Sequence, residues 1–123
     1  MTKPQIDNIV KRYPYLKPSI DKNELSVIKV YIGNRKYVFE LTEEVKTICR
    51  TVEKVYGAEK NCWVKFIIKG MMNGETDKWM IGQMPVSRSK FYEFKEEYME
   101  KVYDCCISLG LVTYEEVLSK EIL

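Results

Sequence analysis

Residues 27–41, VIKVYIGNRKYVFEL, alternate apolar and polar side chains on either side of Gly33-Asn34, whereas the rest of the chain spaces its apolar residues three and four apart. A period of two puts successive side chains on opposite faces of a strand, and glycine supplies the positive φ that a two-residue hairpin turn needs. In that register Ile28 faces Phe39 and Val30 faces Tyr37 on one side, while Lys29, Tyr31, Lys36 and Glu40 fall mostly on the other. A lone hairpin is marginal in water, so its apolar face must pack on helices or on a second copy of the chain. The fold class that follows is mainly α with a small β-hairpin (α+β).

Helical spacing accounts for the remainder. Ile6, Ile9 and Val10 predict a short first helix, and the prolines of YPYLKPS predict a connector after it, because each pushes the residue before it toward extended backbone. Thr42 is placed to cap a helix whose first turn holds Glu43 and Glu44, whose stripe is Val45, Ile48, Cys49, Val52 and Tyr56, and which Gly57 ends. Trp63, Phe66, Ile67 and Met71, widened by Val64 and Ile68, make the next helix apolar enough to be the central one. NGE is a turn, and Thr76 or Asp77 caps a short helix through Ile81. A long helix is predicted from Arg88 to Leu109, stopped by Gly110, with Phe91, Phe94, Tyr98, Val102, Cys105 and Leu109 on one face. Thr113 and Glu116 form a capping box before a last helix that runs to the end of the sequence. With 123 residues and 46% apolar side chains, one domain is expected over 1–123: an N-terminal helix, connector and hairpin over 1–41, then a helical part over 42–123.

Composition narrows the function. Histidine is absent, which removes the commonest general base and points away from an enzyme. Cys49, Cys62, Cys105 and Cys106 lack any CxxC spacing, so they read as buried reduced thiols; neither a metal nor a cofactor is expected. No apolar run approaches a membrane span and no leader precedes the domain, which predicts a soluble cytoplasmic protein. The net charge of +2 argues little, but residues 1–40 hold eight Lys/Arg against four Asp/Glu, so the N-terminal third is the electropositive part.

KWMIGQMPVSRSKFYEFK combines a short helix, a tight turn and a longer helix with a polar start. A helix-turn-helix needs apolar residues where its helices cross and small or polar residues on the leading edge that approaches base edges. Met80, Met84, Val86, Phe91 and Phe94 fit the crossing, and Ser87, Arg88, Ser89, Tyr92 and Glu93 the leading face. Arg88 has the donors for guanine O6 and N7, Ser87 and Ser89 for a phosphate or base edge, and Glu93 accepts from cytosine N4. Lys78, Lys90 and Lys95 suit phosphates, which set register without reading sequence. A serine cap before apolar spacing also begins many ordinary helices. Ile81 stands where a small residue is usual, and Pro85 where glycine is usual; proline cannot take positive φ, so the turn must differ.

The stretch WMIGQMPVSRSKFYEFKEEYMEKV, after a Trp/Phe-rich helix, resembles the sigma-factor region 4-like part of phage late-gene transcriptional regulators of Gram-positive hosts, the ArpU, RinA and LtrC group. The likeness covers about residues 43–109 and is strongest from Trp79 to Lys95; RYPYLK is similar to a tyrosine-proline element upstream in such proteins, and the hairpin has no counterpart in the pattern. The resemblance implies a transcriptional activator of late phage operons in the bacterial host cell, binding double-stranded promoter DNA and contacting host RNA polymerase. The competing expectation is a non-enzymatic protein-interaction module, an adaptor or anti-activator meeting a regulatory protein partner, or a phage packaging subunit with the same helix-turn-helix. Tyr13, Tyr15 and Tyr31, beside lysines, are candidate contacts to either kind of partner.

Overall fold

Thr2 opens the first helix by a reciprocal box. In the computed structural model, which describes residues 1–22 and 27–122, its hydroxyl accepts from the Gln5 amide while its own amide donates to the Gln5 side chain. The helix so started, α1 (Lys3–Lys11), buries Ile6, Ile9 and Val10. After Arg12 the chain does not run on as the connector its prolines predict; it forms a second helix, α2 (Tyr13–Lys22). Pro14 falls in the first turn, where its missing N–H has no helical partner to lose. Pro18 lies inside the helix. The burial of Tyr13 and Leu16, and the bond from the Tyr13 hydroxyl to Glu53 at 2.7 Å, offset the cost of that proline. Residues 23–26 of the expected connector lie outside the described residues.

Strands β1 (Val27–Ile32) and β2 (Arg35–Glu40) pair antiparallel in the expected register, Ile28 with Phe39 and Val30 with Tyr37. Gly33, at φ +60°, makes the turn. Ile28, Val30 and Phe39 are buried in the same core as the helices, and β1 packs on α2, so the chain's own helices cover the apolar face. Lys29, Tyr31, Lys36 and Glu40 are exposed.

Five more helices follow among the described residues: α3 (Glu43–Ala58), α4 (Cys62–Met72), α5 (Asp77–Gln83), α6 (Arg88–Ser108) and α7 (Tyr114–Ile122). Thr42, Asn61, Thr76 and Ser87 each cap the helix that they precede, and Thr113 with Glu116 closes the predicted box. Leu123 lies outside the described residues. The molecule is thus mainly helical with one two-stranded hairpin, and no helix among the described residues is long and apolar enough to cross a membrane.

Four expectations need correction. Gly57 does not end α3, which continues to Ala58 and is capped by extended backbone at Glu59. Glu59 accepts from the Asn61 amide and from Lys101, and these bonds draw the chain straight where a left-handed glycine would have turned it. The centre is shared by α3 and α6 rather than held by α4: α1 and α4 pack on both, and Trp63 and Phe66 of α4 are only half-buried. Because α1 covers one flank of α6, its distal half buries Met99, Tyr103 and Cys106, and leaves Cys105 and Leu109 in solvent. Finally, only Cys49 and Cys106 are buried thiols; Cys62 and Cys105 are exposed.

Candidate nucleic-acid interface

The stretch from α5 to the start of α6 is built on three anchors. Trp79 stacks on Phe66, centroids 6.1 Å apart and planes 19° apart, and Phe66 meets Trp63 edge-on at 6.0 Å, so α5 lies against α4. Gly70 permits the approach: a Cβ there would collide with the buried Met80 side chain. Behind the bend, Met80, Met84 and Phe91 are buried and Val86 and Phe94 half-buried, so all five expected crossing residues join one core. The third anchor is ionic, with Lys95 Nζ donating to both carboxylate oxygens of Asp77 at 2.9 Å and tying the second turn of α6 to the first residue of α5.

Residues 84–87 make the bend itself. Met84 is extended at φ −106° and ψ 137°, and Ser87 at φ −66° and ψ 159° accepts from the Lys90 amide at 3.1 Å. Pro85 therefore follows an extended Met84, the conformation favoured before a proline, and no glycine of positive φ lies in the bend. That is the physical form of the departure from a glycine turn.

The structure places Ser87, Arg88, Ser89, Lys90, Tyr92 and Glu93 in solvent, and Lys78 of α5 is exposed as well. They are not equivalent. Arg88 and Lys78 form no ion pair among the described residues, so their charges are available to a ligand. Lys90 reaches Glu93 at 3.6 Å and lies 4.9 Å from the Phe94 ring centre; contacts this exposed are weak and readily exchanged. Tyr92 packs edge-on to Phe91, which holds its ring at the surface. Lys95 is set apart, half-buried and committed to Asp77 rather than standing free beside the leading edge. Tyr15 and Tyr31 are exposed, but Tyr13 is buried and bonded to Glu53, a structural role in place of the surface contact expected.

The acidic run along α6 is only partly offset, because Lys3 is shared with Asp7 and Lys101 with Glu59. Glu96 and Glu100 lie 3.7 Å from Lys3 Nζ of α1, and Glu97 lies 3.4 Å from Lys101. Composition foresaw only the Lys101 partner; Lys3 arrives from another helix, which spacing within α6 does not reveal. Two basic groups beside the first turns of α6 were also not singled out in the sequence. Lys11 lines a hollow of about 230 Å³ with Tyr92 and Lys95, and Lys11 and Arg12 line a second of about 180 Å³ with Lys95 and Ile32 at the hairpin tip. The only signal for them was the excess of positive charge over residues 1–40.

No protein-family model, no curated protein and no solved structure matches the chain.

Proposed function

We propose that the chain is a sequence-specific DNA-binding transcriptional activator that inserts the start of α6 into a major groove as the second helix of a helix-turn-helix. One observation carries this reading: a polar, solvent-facing helix start, Ser87 to Glu93, is held from behind by Met80, Met84 and Phe91, with Arg88 unpaired at its tip. An exposed arginine with no carboxylate on it among the described residues keeps its donors free for a guanine edge. Amides of the first turn of α6 favour a phosphate alongside. The resemblance to phage late-gene regulators supplies the finer reading: promoter DNA of late phage operons as target, with host RNA polymerase as a protein partner.

The test starts from duplexes recovered from fragmented phage DNA by retention on the protein. Arg88→Ala is expected to cost about 1–3 kcal/mol on the recovered sequence and little on random duplex. An unchanged footprint would remove Arg88 from the reading role.

A second reading, a protein-interaction module, is favoured by the outer hairpin face, where Tyr31 is 68% and Val38 59% exposed. Salt separates the two. Affinity for DNA falls steeply as salt rises, because bound counterions are released, whereas an apolar protein interface changes little.

A further inference from the structure

Alternation along β2 puts Arg35, Tyr37 and Phe39 on one face, but only Phe39 is buried, with Tyr37 packed at the edge of the core. Tyr37 is half-buried, and across its ring lies the guanidinium of Arg12, from the corner between α1 and α2, at 4.5 Å from the centroid. Arg35 is exposed at the hairpin tip, two residues from Tyr37 on the same face. Both guanidiniums bear on the Tyr37 phenol, Arg12 more strongly than Arg35, and together they hold it below its ordinary range. Two arginines thus converge on one phenol.

Neither arginine has a carboxylate partner among the described residues. Among the described residues Arg12, Arg35 and Lys11 make no ion pair, and Arg12 Nε is buried without a hydrogen-bond partner. The acids lining the adjoining hollow are Asp77, bonded to Lys95, and the exposed Glu75; the hollow toward Tyr92 adds Asp7 and Glu96, both of which face Lys3. Like charges on one side of the hairpin, with no counterion among the described residues, suit an anion that joins them. Paired guanidinium forks match phosphate oxygens, which accept two parallel bonds. The place also matters: Lys11 borders both hollows and so connects this cluster to Tyr92 on the leading face of α6.

We propose that Arg12 and Arg35, flanking the Tyr37 ring with Lys11 beside them, hold the phosphodiester backbone of duplex DNA next to the groove that the start of α6 enters, a role that rests on the DNA-binding reading above. The hairpin is then a second DNA contact, one that sets position without reading sequence.

The experiment is a salt titration of duplex binding by the full chain, using the recovered duplex and a random one. Each phosphate contact contributes about 0.9 to the slope of log K against log salt, so Arg12→Gln with Arg35→Gln should flatten the slope by about 1.8 on both duplexes alike. Arg12→Lys with Arg35→Lys should restore most of it, since the charge remains. Arg35→Gln alone removes an exposed side chain that packs on nothing in the core, and should flatten the slope by about 0.9 without lowering the melting temperature. A wild-type slope in both glutamine variants, with Arg88→Ala still impairing the recovered duplex, overturns the hairpin contact and leaves the function standing. Absence of duplex binding by the wild-type chain at low salt overturns the function, and the hairpin contact with it.

Discussion

Four cysteines of identical chemistry end in two different states, because each helix turns a different flank to the core. Cys49 and Cys106 are buried, and burial pushes their thiols up to about 12 and about 11, so neither forms a thiolate at neutral pH. Cys62 and Cys105 are exposed. Labelling the native chain with a thiol reagent at neutral pH is expected to modify two residues quickly, identified by peptide mapping as Cys62 and Cys105, and all four after denaturation. Rapid labelling of Cys49 in the folded chain would contradict its placement. The adjacent pair at 105 and 106 shows the limit of local reading: the two side chains point about 100° apart, spacing within α6 favoured Cys105, and the flank that the neighbouring elements cover is the one that Cys106 shares with Met99 and Tyr103.

Elements dock through single contacts whose effects can be measured. Between α4 and α5, Gly70 meets the Met80 side chain where any Cβ would intrude. Alanine is favoured over glycine in a helix by about 1 kcal/mol, but overpacking a filled core costs about 1–3 kcal/mol. Since Met80 is fully buried and has little room to retreat, Gly70→Ala is expected to destabilise the fold by about 1 kcal/mol in denaturant unfolding. In a Met80→Ala background the same change should become neutral or stabilising, a coupling that a double-mutant cycle reads directly. Between α3 and α6, burial works to raise the Glu59 carboxyl, but its bond with Lys101 and the Asn61 amide outweigh this, and it sits below its ordinary 4.5. A depressed carboxylate stabilises the fold at pH values above 4.5 and loses that effect as pH falls through its lower folded value. Glu59→Gln should therefore melt below wild type at neutral pH, and the gap should close as pH drops under 4.5. A gap independent of pH would mean that packing, not charge, is at stake.

At the scale of the whole molecule, one buried cluster extends from Ile6 in α1 through Phe39 of the hairpin to Val112 before α7. A continuous core of this kind predicts a single unfolding transition. Fluorescence of Trp63 and Trp79, which reports on α4 and α5, should coincide with the far-ultraviolet circular dichroism of all the helices. Two separated midpoints would show that the N-terminal helices and hairpin fold apart from the α4–α6 unit. The same continuity places Lys11 beside Tyr92 and Lys95 of α6, and Arg12 and Ile32 of the hairpin around one hollow with Lys95, although these residues are far apart in sequence.

What the sequence by itself determined was whatever depends on neighbours within about four residues. Alternation and Gly33 specified the hairpin with its register, and the hydroxyls of Thr42, Thr76, Ser87 and Thr113 specified where helices begin, because caps, turns and periods are local chemistry. The polar start of α6 was legible for the same reason. Tertiary structure alone decided that α2 is a helix despite Pro18, since the burial of Tyr13 and Leu16 against other elements outweighs a local penalty. It decided that Lys95 is paired with Asp77 and that Lys3 covers Glu96 and Glu100, across distances in sequence that no period encodes. It also brought Arg12 over Tyr37. A charge shows in the sequence, but whether it is neutralised or left free for a partner depends on what folds beside it.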